Sequence, residues 1–263
     1  MIATGPADVA ALLDLPQRES KPRRSGLTLL IDGGLPTRYF RDVIESSGQL
    51  VDFVKFGWGT SLVTRDLRAK IRALQCAGID FFFGGTLFER FALQGRLAEY
   101  VAFCHRHGCR HVEVSNGTIR LSNQEKAAYV ARLSHEFTVV SEVGYKDGAR
   151  SEALSADDWV AYLRQDLEAG AALVLAEARE SGRSGICRPD GQLRQDLVEA
   201  ILGSGLDCGS LVFEAPTRDL QAQFIRRLGP GVNLANVSFA DVIGLETLRL
   251  GLRSDTLLEM THA

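Results

Sequence analysis

FTVVSEV (137–143), ALVLAE (172–177) and SLVFE (210–214) are three short apolar runs, each with a glutamate at or next to its C-terminal end. Runs this short and this rich in β-branched and aromatic residues read as buried strands rather than helices. Outward from them the same kind of run recurs at LTLLI (27–31), VDFVKF (51–56), IDFFF (79–83), HVEV (111–114) and VNLA (232–235). Longer segments with helical spacing separate the runs. In Arg65–Cys76, Leu67, Ile71 and Leu74 share one helical face; in Arg96–His107, Leu97, Tyr100, Val101 and Cys104 do. Glycines follow such segments at Gly48, Gly78, Gly108 and Gly170, where a left-handed stop residue is expected.

Strands alternating with helices imply parallel pairing through right-handed crossovers. Eight units with no strand left over predict the α/β class and a single closed (β/α)8 TIM barrel, for which 263 residues is an ordinary length. An open doubly wound sheet is the alternative, but no G-x-G-x-x-G follows the first strand. Residues 1–24 mix Pro, Arg, Ser and acids and read as a short polar N-terminal extension, with a short helix at Asp8–Leu13; residues 25–263 form the barrel.

The net charge of -3, with 45% hydrophobic and 24% charged residues, describes a globular protein and gives no footprint for nucleic acid or a membrane surface. No apolar stretch reaches spanning length, and the N-terminus lacks the basic and apolar regions of a signal peptide. Cys76, Cys104, Cys109, Cys187 and Cys208 are odd in number and show no C-x-x-C spacing, which argues against a disulfide framework and for a reducing, cytoplasmic setting. Assembly into identical copies is left open.

Barrel chemistry sits at the C-terminal strand ends. Those ends supply Asp32, Lys55, Glu113, Glu142, Glu177, Glu214, Asn233 and Asn236. Glu142, Glu177 and Glu214 end three successive strands, so a closed barrel makes them neighbours. Three buried carboxylates repel, and a hard divalent cation, Mg²⁺ with Mn²⁺ as the substitute, would relieve that. Glu113 is a fourth candidate ligand. Pairing with Lys146, Arg179 and Arg183 would relieve it as well. Lys55 lies in an apolar strand and either pairs with Asp32 or Glu89 or binds an anion. Arg179-Glu180-Ser181-Gly182-Arg183-Ser184-Gly185 combines cations, hydroxyls and glycines, which suits a lid over a phosphorylated substrate and equally a plain soluble loop. Asn233 and Asn236 lie by the usual phosphate corner, although Asn236 could cap a helix. His105, His107, His111, His135 and His262 avoid the strand C-terminal ends, which disfavours histidine acid–base chemistry and histidine-rich zinc sites.

VDFVKFGWGTS (51–61), GGTLFE (84–89), SEVGYK (141–146), EARESGRSG (177–185), FEAP (213–216) and NLANVSFADVIGLETLRLGLRSDT (233–256) together resemble the phosphosulfolactate synthase family, from about Gly26 to Thr256. That resemblance implies Mg²⁺-dependent addition of sulfite to phosphoenolpyruvate, giving (2R)-phospho-3-sulfolactate, an early step of coenzyme M biosynthesis. Lys146 matches the family's loop lysine and is the candidate donor of a proton to C2, and the resemblance implies that Lys55, Arg179 and Arg183 hold the phosphate, the carboxylate or sulfite; Lys55 and the strand-end Asp32 complete the catalytic candidates. Arg179, Ser181, Gly182, Arg183, Asn233 and Asn236 would hold substrate anions. The chain departs from a family member's pattern at Gly33, where that relative has Lys, and at Asn116, where it has Asp. Those departures keep two alternatives: a barrel adding a different nucleophile to an enol phosphate, and a non-catalytic heat-stress-type relative.

Overall fold

The computed structural model describes residues 12–259, so most of the expected Asp8–Leu13 helix and His262 lie outside the described residues. Eight strands form one parallel sheet: β1 (Thr28–Asp32), β2 (Phe53–Phe56), β3 (Asp80–Phe83), β4 (His111–Val114), β5 (Thr138–Val143), β6 (Ala171–Ala176), β7 (Leu211–Glu214) and β8 (Leu234–Val237). Their order is β3-β2-β1-β8-β7-β6-β5-β4, and β3 packs beside β4, so the sheet curls into a nearly closed (β/α)8 TIM barrel. Helices fill the crossovers: α1 (Thr37–Ser47), α2 (Leu67–Cys76), α3 (Gly85–Leu93), α4 (Leu97–His107), α5 (Asn123–Leu133), α6 (Gly148–Glu152), α7 (Ala156–Glu168), α8 (Gln195–Gly203), α9 (Arg218–Leu228) and α10 (Val242–Arg249). No helix among the described residues is long and apolar enough to cross a membrane.

Period-two alternation divides the strand side chains between two cores. Leu27, Leu29, Phe82, Val140, Leu175, Val212 and Ala235 fill the barrel interior. Leu30, Val54, Phe56, Phe81, Phe83, Val112, Val139, Val174 and Phe213 face the helix ring and pack on Phe40, Ile71, Leu74, Val130, Trp159 and Leu197. Two residues beyond each interior apolar layer the alternation brings the next inward position to the C-terminal rim. There it exposes Lys55, Glu113, Glu142, Glu177 and Glu214 to one common space.

The N-terminal rim is sealed by the polar lead-in. Arg18 pairs with Glu246 at 3.0 Å, Lys21 donates to the Gly48 carbonyl at 3.0 Å, and Arg23 pairs with Asp52 at 3.0 Å. Gly78, Gly108 and Gly170 adopt the left-handed backbone expected of helix stops. Gly48 does not: its φ is -60°, because a short 3₁₀ turn continues α1 directly into β2.

Candidate active site

A cavity of about 220 Å³ opens at the C-terminal rim, lined on opposite sides by Trp58, Gly84 and Thr86 and by Glu142, Glu177 and Glu214. Lys55 sits at its floor, with its ammonium 3.1 Å from Glu113 Oε2, 3.3 Å from Glu214 Oε1 and 3.6 Å from Glu142 Oε2. Lys146 approaches from the loop after β5, 3.4 Å from Glu142 Oε1 and 3.5 Å from Glu177 Oε2. All four glutamates are buried.

Backbone donors aim these carboxylates. Glu113 Oε1 accepts from Gly85 N–H at 2.6 Å, Glu214 Oε2 from Ala178 N–H at 3.0 Å, and Glu177 Oε1 from Arg179 N–H at 2.5 Å. Glycine is required at 85, since a β-carbon there would lie 2.3 Å from Ser115 Oγ and 2.8 Å from Glu113 Oε1. Arg179 extends over the rim and donates to the Lys146 carbonyl at 3.1 Å, while the Lys146 N–H donates to the Gly117 carbonyl at 3.0 Å. The Lys146 loop is therefore held from both sides.

Four carboxylates meet two ammoniums here, so the cluster carries an excess of negative charge when all six groups are ionised. Burial pushes Glu113, Glu142 and Glu177 up, and the local ammoniums pull against it. Glu142 lies against both Lys146 and Lys55, which outweigh burial and hold it at about 2. Burial lifts Glu113 to about 7 against the pull of Lys55. Burial and the neighbouring Glu142 and Glu214 raise Glu177 well above the carboxylate range. Burial alone would lower both lysines, but the glutamates outweigh it and push Lys55 and Lys146 above the usual lysine value.

One oxygen from each of Glu142, Glu177 and Glu214 lies within 4.8 Å of the others. Glu142 Oε1 and Glu177 Oε2 are buried and have no hydrogen bond, only the Lys146 ammonium at 3.4 and 3.5 Å. An oxygen-only set of buried carboxyl groups, two of whose oxygens have no hydrogen bond, fits a hard divalent cation. Glu113 stands apart from that set, engaged by Lys55 and the Gly85 amide.

The cavity contains Lys55, Lys146, Glu113, Glu142, Glu177, Glu214, Arg179 and Asn236 of the residues expected from sequence. Asn236 adopts φ 56° and has a buried, unpartnered Oδ1. It caps no helix. Asp32 belongs elsewhere. Its register partner is Phe56, whereas Ile31 is the partner of Lys55, so alternation points Asp32 outward. Its carboxylate pairs with the fully buried Lys70 at 2.5 Å and accepts from the Gly34 and Leu35 amides. Glu89 is likewise no partner of Lys55: it accepts from Ser115 Oγ at 2.6 Å and from the Thr118 amide.

Asn233 lies at the opposite rim. The strand VNLA was expected to start at 232, but β8 begins two residues later, which leaves Asn233 below it. There it accepts from Leu27 N–H and donates to the Gly209 and Leu211 carbonyls, stitching three chain segments together. Ser181, Gly182 and Arg183 also lie outside the mouth. Ile186 N–H donates to the Glu177 carbonyl at 2.8 Å and Gly185 N–H to Ser151 Oγ at 3.0 Å, which folds the loop back and turns its tip outward. Ser181 is solvent-exposed, Gly182 packs on Leu220, and Arg183 lines a separate cleft with Cys187 and Arg194. Asn116 donates to the Leu121 carbonyl and does not reach the cavity.

Trp58, Thr86 and Thr118 line the mouth with no role assigned to them from the sequence, and Glu180 is the second residue of the Arg179–Gly185 segment to reach it. The glycines flanking Trp58 and preceding Thr86 were the available signal. Lys70 and Lys126 were missed too. Each lies on the apolar face of its helix, Lys70 beside Leu67, Ile71 and Leu74, and Lys126 beside Ala127, Val130 and Leu133. A lysine on such a face needs a buried partner, and Lys126 finds Asp166 at 2.6 Å and the Glu142 carbonyl at 2.8 Å.

The model of the family described as (2R)-phospho-3-sulfolactate synthase (ComA) matches residues 16–255. A phosphosulfolactate synthase of Bacillus subtilis is 51% identical over 93% of this chain and 97% of its own length. One from Methanothermobacter thermautotrophicus is 41% identical over 92% and 95%. The Arabidopsis thaliana protein named HEAT-STRESS-ASSOCIATED 32 is 26% identical over 88% of each chain. Among solved structures, phosphonopyruvate hydrolase in complex with oxalate and Mg²⁺ superposes with a TM-score of 0.55 at 15% identity, covering 85% of this chain and 79% of that one. The 3-hexulose-6-phosphate synthase of Salmonella typhimurium superposes at 0.51 with 14% identity, covering 85% and 98%. At such identities these two share the barrel alone.

Proposed function

Since the chain belongs to the phosphosulfolactate synthase family, a family of enzymes, we propose that it adds sulfite to phosphoenolpyruvate to give (2R)-phospho-3-sulfolactate. The observation that carries this reading is the seat of Lys146, an ammonium 3.4 and 3.5 Å from two carboxylates of a three-glutamate cluster inside the barrel mouth.

Glu142, Glu177 and Glu214 would hold Mg²⁺ or Mn²⁺. The cation supplies Lewis-acid stabilisation of negative charge on the substrate carboxylate. In the reaction the sulfur lone pair of sulfite forms a bond to C3 of phosphoenolpyruvate, and the electrons of the C2–C3 double bond move toward the carboxylate. C2 then takes a proton, and the addition needs no oxidant or reductant. Lys146 is the donor: it is ammonium at neutral pH, and neutralisation of Glu142 and Glu177 would bring its raised pKa back toward a value useful for an acid. Lys55 supplies a fixed positive charge at the floor. Arg179 holds the Lys146 backbone and, being exposed, has a guanidinium edge free to meet an incoming anion. Asn236 lines the mouth at the usual phosphate corner, where its side-chain N–H group would be the donor to an anion.

The test is direct. Purified protein incubated with phosphoenolpyruvate, sulfite and Mg²⁺ should yield the phosphosulfonate by mass spectrometry. Consumption of phosphoenolpyruvate with another nucleophile but never with sulfite would replace this reading with its nearest competitor, a barrel that joins a different nucleophile to an enol phosphate. Gly33, lying under the Trp58 ring, is the observation that favours that competitor.

A further inference from the structure

Trp58 is a bulky residue held at φ 49°, ψ 29°, in the left-handed region that large side chains seldom occupy. Gly59 follows at φ 72°, so two successive left-handed residues fold the chain back at the top of β2. Strain of this kind persists only where the surroundings enforce it, and it concentrates at ligand sites. The surroundings here are specific. A β-carbon on Gly33 would lie 2.6 Å from Cζ3 and 3.2 Å from Cη2 of the indole. Gly33 itself has no left-handed backbone, so its lack of a side chain serves the ring rather than the turn. The ring so placed is 45% exposed and is the sole aromatic side chain among those lining the mouth.

Its position round the barrel matters. β2 and β6 are separated by β1, β8 and β7 along the ladder, so Trp58 and Glu177 face each other across the mouth. We propose that Trp58, seated on Gly33, is a specificity-determining residue whose indole contacts the end of the bound enol phosphate farthest from the three glutamates and limits its size there. This rests on the reading above, in which the substrate carboxylate lies toward Glu142, Glu177 and Glu214. An aromatic wall opposite a cluster of charges excludes water from the reacting carbon and rejects added bulk by contact, without adding a charge of its own.

The chain has two tryptophans, and Trp159 is fully buried in the core, so the difference in emission between the wild type and Trp58→Phe reports on Trp58. Addition of phosphoenolpyruvate with Mg²⁺ should change that emission saturably, with the midpoint found by calorimetry, and the change should vanish in Trp58→Phe. The second measurement uses (Z)-phosphoenol-2-oxobutyrate, which is phosphoenolpyruvate with one methyl added at C3. The wild type should bind it roughly 10-fold or more weakly than phosphoenolpyruvate, and Trp58→Ala should remove most of that difference. Gly33→Ala, which displaces the ring without deleting it, should shift the emission of the free protein and weaken discrimination in the same direction. Calorimetric binding of phosphoenolpyruvate with unchanged Trp58 emission, or an unchanged affinity ratio in Trp58→Ala, overturns the inference and leaves the proposed reaction standing. Absence of any phosphoenolpyruvate binding removes both.

Discussion

At the N-terminal end of the barrel Arg249 is fully buried and gives its guanidinium to the backbone carbonyls of Pro230, Val232 and Leu27. At the C-terminal end Glu113, Glu142, Glu177 and Glu214 are just as buried, yet Glu142 Oε1 and Glu177 Oε2 have no hydrogen bond, only the Lys146 ammonium at 3.4 and 3.5 Å, and carboxyl groups stand side by side. Burying a polar group costs about the same at either end. The lower rim meets most of that cost with partners present in the chain, although Arg249 Nε and His111 Nδ1 there have no hydrogen bond. The upper rim leaves part of it unmet, as a binding site must if its ligand is to supply the remainder. Asn233 and Asn236 repeat the contrast three residues apart: the first bonds to Leu27, Gly209 and Leu211, while the second has a buried oxygen with no partner.

The largest expected effect belongs to the upper rim. Lys146→Ala should cut turnover by ~10²–10⁴-fold, the usual worth of a general acid, with a weaker effect on phosphoenolpyruvate affinity. Lys146→Arg should not restore it, because guanidinium holds its proton. Steady-state kinetics showing near-normal kcat in Lys146→Ala would remove this role. Next, Glu177→Gln should weaken Mg²⁺ or Mn²⁺ binding by more than ~100-fold, beyond the range typical of outer-sphere partners, while the melting temperature of the metal-free protein holds or rises as repulsion is relieved. Calorimetry with the metal alone and a thermal melt check both halves, and full activity in excess chelator would rule the metal out.

The lower rim should respond in the opposite sense. Arg249→Met should lower unfolding free energy by roughly 2–4 kcal/mol, since buried carbonyls lose charged hydrogen bonds, and should leave metal affinity unchanged. Asn233→Ala should cost about 1–3 kcal/mol in urea unfolding, whereas Asn236→Ala should leave stability nearly intact and raise KM instead. If both asparagines behave alike, the distinction between the rims fails.

The smallest effect is a pH dependence. His111 begins β4, with its ring against Phe53 at 5.0 Å between centroids, and burial lowers its pKa in the folded state despite nearby Asp80. The unfolded chain therefore takes up this proton first as pH falls through about 6.5, so stability from neutral His111 is present above that pH and lost below it. Urea midpoints measured between pH 7 and pH 5 should fall less in His111→Phe than in the wild type.

The eight strands and their parallel order were legible in the sequence because burial on two faces writes near-continuous apolar runs, as in IDFFF and SLVFE, and helical spacing separates them. The glutamates were legible for a related reason: a carboxylate at the end of such a run has few explanations. Which way a residue faces was not written there. Asp32 and Lys55 both lie at the upper ends of their strands, but register pairs Ile31 with Lys55 and sends Asp32 outward to Lys70. A two-residue difference in where β8 starts moved Asn233 from the expected phosphate corner to the N-terminal rim. The seat of Trp58 on Gly33 joins two loops that are adjacent only because β1 and β2 pair. Local composition thus determined the elements and the charge brought to the rim. Tertiary structure alone decided which charges meet, because strand alternation and register turn a shift of one or two residues into the opposite face or the opposite end of the barrel.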